Sequence, residues 1–187
     1  MRVETRMVES DDELPCRSLE IRSPSRTVTT PTKAGDASIP AGQVTEVHRS
    51  FKADQLDRIL SDEQFERRTN TDLRRKRGQG FTLFFVDISD DVDPGTERLE
   101  ALSDLQYEHS DVVVTPLWSR LPKELKGRSL LERHLELTDA YLDIVETLND
   151  KSIVGSIPSR IPRQLLRPIV KRYHERGAVA YVVDFDG

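Results

Sequence analysis

Asp87 closes the apolar run Phe84-Phe85-Val86, Asp184 and Asp186 stand two residues apart, and Arg120 and Arg160 follow later apolar segments. Two carboxylates at a spacing of two lie on one face of a strand, where they can share a metal ion or perturb one another's pKa. A guanidinium group clamps a phosphate or carboxylate through paired hydrogen bonds. With Lys33 and Ser156 they are the candidate ligand-binding residues. Thr30, Thr32, Asp90, Asp91, Asp93, Thr115, Trp118 and Ser159 complete a polar rim suited to a polar or anionic small molecule. Most members also have a plainer use. Asp90, Asp91 and Asp93 read as turn and helix-cap residues, Arg120 and Arg160 as surface ion-pair partners, and Trp118 as a packing residue.

Other chemistries leave no trace. His48, His109, His134 and His174 have no metal-ligand spacing to one another or to a cysteine, so a zinc site is not expected. Cys16 is the one cysteine, which excludes a disulfide within the chain. There is no Gly-rich phosphate loop, nucleophile elbow or His-Glu-x-x-His motif. No catalytic residue and no cofactor is named by the residues themselves.

The rim needs a scaffold. From residue 51 onward, helical and strand patterns alternate. Apolar runs predict strands near 81–87, 112–116, 152–157 and 179–184, with the longest helix near 130–148 packed on them. Ser61 with Gln64, and Ser129 with Glu132, have the spacing of capping boxes, and Asp93-Pro94 that of a helix start. Gly177 suits a helix end. Upstream, residues 19–21 and 27–29 predict a short hairpin around Ser23-Pro24-Ser25, and the second of these counts as the first strand of the series. Residues 31–50 show little apolar periodicity and read as a long loop; residues 1–17 read as a loose acidic terminus preceding an α/β domain over 18–187.

Strand-helix alternation of this kind means right-handed β-α-β units and a parallel sheet. Two architectures fit: the first part of an eight-stranded β/α (TIM) barrel, and a five-stranded doubly wound sheet of flavodoxin type. The barrel is preferred because a doubly wound sheet covers its last strand with a helix. In either architecture ligands bind at the carboxyl ends of the strands, which is where the rim residues were read.

Bulk composition narrows the partners. A chain of 187 residues with net charge −5 carries no bulk signal for nucleic acid or membrane. Its start is too charged for a signal peptide and no apolar run reaches about 18 residues, so a cytoplasmic protein is expected. The one dense basic patch, Arg67, Arg68, Arg74, Arg75, Lys76 and Arg77, reads as a solvated helix end, with RNA contact as the alternative.

Thr30-Pro31-Thr32, then Phe84-Phe85-Val86-Asp87, Ser110-Asp111-Val112-Val113 and Gly155-Ser156-Ile157 follow one another in an order that resembles the front half of the tRNA-guanine transglycosylase barrel. The resemblance implies a β/α barrel over residues 26–187 and a nucleobase-like ligand, with Asp87 at the position that contacts the base. It departs from the family at Ile88-Ser89-Asp90 in place of glycines, at Pro116-Leu117 in place of an Asp, and at Pro158 in place of a glutamine. A chain with those departures is not expected to exchange bases by itself. Two expectations follow: a barrel-type protein binding a nucleobase-like or anionic small molecule, or a non-catalytic assembly module. The second would work as a homo-oligomer or with a second half-barrel chain, because the final strand is apolar on both faces.

Overall fold

The computed structural model describes residues 4–10, 17–22, 27–29, 34–35, 44–77, 80–90, 93–118, 121–122, 124–147 and 151–183. Strands β1 (Glu4–Ser10), β2 (Arg17–Arg22) and β3 (Thr27–Thr29) form an antiparallel sheet in that order. The expected hairpin is there, with Ile21 opposite Val28. Two expectations are corrected. Residues 4–10 pair as a strand rather than trailing as a loose end, and β3 belongs to this antiparallel sheet, not to the parallel series.

The parallel series begins instead inside the stretch read as a loop. β4 (Ala34–Gly35) and β5 (Val44–Phe51) run parallel to β6 (Phe81–Ile88) in the order β4-β5-β6. β5 escaped the sequence reading because Glu46, His48, Arg49 and Ser50 dilute its apolar residues; only one of its faces is covered along its length. The second parallel sheet is β7 (Val113–Val114), β8 (Ile153–Ile157) and β9 (Ala178–Val183), again in chain order. Helices α1 (Ala53–Ser61) and α2 (Glu63–Lys76) connect β5 to β6. α3 (Gly95–His109) leads to β7, α4 (Arg128–Val145) to β8, and α5 (Leu166–Glu175) to β9. The chain is thus an α/β protein of parallel β-α units.

The two parallel sheets adjoin, with backbone bonds from Asp111 to the Thr82 carbonyl and from Leu117 to the Val86 carbonyl and with side chains in between. Asp111 accepts from the Thr82 amide at 2.7 Å, Ser110 Oγ from the Phe84 amide at 3.1 Å, and Gln106 Nε2 donates to the Phe84 carbonyl at 3.0 Å. On the other side, Gln106 Oε1 accepts from the Val114 amide at 2.9 Å. Buried strand amides need partners, and these polar side chains supply them. The contacts advance together along both segments, from Thr82 with Asp111 to Val86 with Leu117, as in a parallel pair.

Apolar packing separates into two layers. Every helix contributes to one cluster, with Leu56, Leu73, Leu102, Leu142 and Ile169 meeting Val47, Phe84, Val86 and Val113 of the strands. The opposite face carries Val44, Phe81, Phe85, Val112, Val114 and Val154, and among the described residues Val28 of β3 joins this cluster. A doubly wound sheet puts helices on both faces; here, among the described residues, the buried apolar helix residues all gather on one. Val44, Phe81, Val112 and Val154 of this cluster lie at or near the amino ends of their strands.

Local signals were read with mixed success. Asp62, not Ser61, caps α2, accepting from the Gln64 and Phe65 amides. Ser129 sits inside α4 bonded to Lys126, and Glu132 pairs with Arg128, so no capping box forms there. Asp93 accepts from Gly95 ahead of α3, but the N-cap position falls on Pro94, one residue later than expected, and Gly177 takes a positive φ of 76° after α5 as expected. Pro168 falls in the first turn of α5, where a missing amide costs nothing.

Gly155 fixes how α5 lies on β8. A Cβ there would come within 2.7 Å of the Tyr173 ring, whose hydroxyl is itself anchored to the Ser156 carbonyl at 2.7 Å. The ring cannot slide away without breaking that bond. Gly155→Ala is expected to lower stability by about 1–3 kcal/mol, read as a shift in the urea midpoint. An unchanged midpoint would mean that α5 can lift at no cost.

Candidate functional site

β5 and β6 are paired along their whole lengths, and the register sets Glu46 beside Leu83, His48 beside Phe85 and Ser50 beside Asp87. Neighbours in a parallel pair project to the same face, and alternation places this set with Phe85 on the helix-free side. The side-chain contacts agree. The His48 imidazole stacks on the Phe85 ring at 4.6 Å and 12°, and Ser50 Oγ donates to Asp87 Oδ2 at 3.3 Å. Glu46 Oε2 holds His48 Nε2 at 3.4 Å. The strip therefore runs from the apolar pair Val44 and Phe81, through an exposed imidazole lying on Phe85, to a hydroxyl-carboxylate pair at the carboxyl end.

Ser, His and Asp all occur on this strip, but not as a proton relay. His48 is engaged with Glu46, and Ser50 with Asp87. What the geometry offers is a flat aromatic surface followed by hydrogen-bond acceptors. Its charged groups, Glu46 and Asp87, are both acidic.

Among the other expected residues, Asp90 reaches across to α1 and accepts from the Ala53 amide at 2.9 Å. Asp93 is bonded to Arg133 of α4 at 3.0 Å, and that guanidinium, with the Gly95 amide, holds its carboxyl below the usual range. Both have structural uses, but neither stands at a helix N-cap, which is Pro94 for α3 and Lys52 for α1. Arg160 Nη1 donates to the Leu121 carbonyl at 2.8 Å, bracing the loop after β7. Ser156 is fully buried, donating from its amide to Thr115 Oγ1 and from its hydroxyl to the Pro116 carbonyl. Lys33, Arg120, Asp184 and Asp186 lie outside the described residues. The structure thus sets Asp87, half-buried, beside Ser50 on the β5–β6 strip, while Ser156 and Arg160 make internal bonds.

Behind Ser156 lies a polar cluster on the helix side. Tyr173 OH stands 3.0 Å from Thr115 Oγ1 and 3.4 Å from His134 Nε2, and Trp118 Nε1 donates to Thr138 Oγ1 at 3.2 Å. Trp118 is buried with φ of 52°, the one positive φ outside glycine among the described residues. Burial drives the His134 pKa down to about 4, and His134 Nδ1 has no hydrogen-bond partner. This cluster stitches the carboxyl ends of β7 and β8 to α4 and α5.

The basic patch is partly consumed by the fold. Arg67 pairs with Glu63, Arg74 with Glu108, and Arg77 with Asp111. Among the described residues no group of three or more His, Cys, Asp or Glu is placed to hold a metal ion, and no helix is long and apolar enough to cross a membrane. Sequence reasoning missed Glu46, His48 and Ser50 because it missed β5. The alternation of Val44, Glu46, His48 and Ser50 was the available signal, but with a single apolar member that face looks like loop.

Comparison with family models, with curated proteins and with solved structures returns no match for this chain. The class is set by the fold: an α/β protein of parallel β-α units with strands in chain order.

Proposed function

We propose that this protein binds a flat, hydrogen-bond-donating small molecule of nucleobase type on the helix-free face, at the carboxyl ends of β5 and β6. The observation that carries the reading is the in-register pair Ser50–Asp87 beyond the exposed, Phe85-stacked imidazole of His48. A planar ring lying on His48 would direct N–H groups at Asp87 and Glu46. Stacking on an aromatic platform contributes about 1–3 kcal/mol per base. Two further features support it. Phe85, under the imidazole, is anchored in the apolar cluster of that face, and strands in chain order with the described helices on one side suit a barrel-type scaffold. The resemblance to the transglycosylase barrel points to the same Asp87. An anionic ligand is less well served, since the charges on this strip are acidic and Arg160 is turned to carbonyls.

Titration calorimetry with guanine, adenine, cytosine and inorganic phosphate tests the reading. A base is expected to bind and phosphate is not. Asp87→Asn should weaken the base by roughly 10- to 100-fold, the loss of a hydrogen bond to a charged acceptor, with little change in melting temperature. Phosphate binding, or an unchanged base affinity in Asp87→Asn, would overturn it. A large loss of stability would instead make Asp87 a structural residue.

A further inference from the structure

Trp118 follows β7 with a φ of 52°, a left-handed backbone conformation that glycine takes freely and a bulky residue resists. Its side chain holds it there. The indole is buried in the apolar layer that the helices share with the strands, and its N–H donates to Thr138 Oγ1 of α4 at 3.2 Å. A second brace comes from beyond β8, where Arg160 donates to the Leu121 carbonyl at 2.8 Å and to the Pro122 carbonyl at 3.4 Å. The Leu121 amide in turn donates back to the Trp118 carbonyl at 3.3 Å.

Strained backbone persists where its surroundings over-determine it, and such places gather at ligand clamps and switch regions. The position of Trp118 fits that use. One residue earlier, the Leu117 amide donates to the Val86 carbonyl at 3.1 Å, next to Asp87 near the carboxyl end of β6. Carboxyl ends of parallel strands are where ligands enter such folds. The segment is thus joined to β6 by a backbone bond, while side chains from α4 and from beyond β8 fix its course. Once the indole leaves Thr138, the backbone at Trp118 relaxes to negative φ and turns the chain away from that course. The bond from Leu117 to Val86 is broken in the same movement.

We propose that Trp118 is a sprung latch: its buried indole holds the chain after β7 closed against the end of β6, in a conformation that its own backbone opposes. Release of the indole from α4 opens this segment as a unit while the sheets stay folded. The latch stands beside the site proposed above but does not depend on its ligand. Its test uses no ligand, so either inference can fail alone.

Trp118 is the only tryptophan, so quenching of its fluorescence by acrylamide reads the latch directly. Native-state hydrogen exchange of the Leu117 amide reads the same opening. Thr138→Val keeps the shape of the side chain and removes the acceptor. It should make Trp118 more accessible to acrylamide and speed exchange at Leu117 by roughly 10-fold, the effect of losing one buried hydrogen bond, while amides of the β5–β6 ladder keep their rates. Thr138→Ser restores the hydroxyl and should restore both readings. Arg160→Ala removes the second brace and should act in the same direction; it carries the test should Thr138→Val fail to fold. Unchanged quenching and unchanged Leu117 exchange in these variants overturn the proposal and leave Trp118 as a packed side chain. So does faster exchange that is equal at Leu117 and along the β5–β6 ladder, which would be a loss of stability in the whole fold.

Discussion

Gln106→Leu is expected to cost the protein about 3 kcal/mol or more, a large part of a typical stability of about 5–15 kcal/mol. Leucine has a similar size, so packing changes little. What changes is the accounting of buried polar groups. Gln106 is fully buried and serves three partners at once: the Phe84 carbonyl, the Val114 amide and the Tyr141 hydroxyl, at 3.0, 2.9 and 3.2 Å. Each group left unpaired costs about 1–3 kcal/mol, and none of the three is near water. The loss also falls where β6 and β7 have little ladder of their own, so the seam between the parallel sheets is opened. Gln106→Glu should be equally harmful at neutral pH, because a carboxylate oxygen would replace the donor facing the Phe84 carbonyl. Chemical denaturation of the three proteins measures this. A loss below about 1 kcal/mol in Gln106→Leu would show that water or a shifted β7 takes over the bonds.

The second large effect is a loss of stability in acid that traces to His134. Its pKa is held near 4 by burial alone, against an ordinary value of 6.5. The folded protein therefore resists the proton that the unfolded chain accepts. Between pH 6.5 and 4 the unfolded state binds more protons, so stability rises with pH there. The contribution is complete above about pH 6.5 and is lost as pH falls to about 4. A shift of this size corresponds to about 3 kcal/mol. Burial lowers the His109 pKa as well, which acts in the same direction. His134→Gln retains a hydrogen-bonding group for Tyr173 but does not titrate, so its stability should fall less over the same interval. Trp118, bonded to Thr138 one turn further along α4, is the only tryptophan and reports the transition by its fluorescence. Parallel stability curves for the two proteins between pH 7 and 4 would remove His134 as the cause.

Long apolar runs made the scaffold legible. β6, β8 and β9 are strands whose own residues are enough to mark them, and α3, α4 and α5 show their stripes because one face of each meets the same layer. β5 did not, because a strand with one face covered along its length and the other lined by Glu46, His48 and Ser50 has no run to find. That one omission moved the expected rim from the residues after β5 to those after β3, where Lys33 was placed. It also hid the partners of Asp87.

Residue order alone determined the α/β class, the parallel series, the carboxyl-end location of Asp87 and the apolar character of β9. These depend on spacing along the chain, which the sequence states directly. Tertiary structure decided which groups each polar residue meets. Asp90, Asp93, Ser156, Arg160 and Gln106 differ little in the sequence from Asp87 and Ser50, yet they bond to backbone groups contributed from 2 to 40 residues away. Buried amides and carbonyls must be paired, and the nearest polar side chain in space is taken for the purpose wherever it sits in sequence. Asp87 stays with Ser50 on the same strip because the β5–β6 register puts it there, and register is a property of two strands, not of either one.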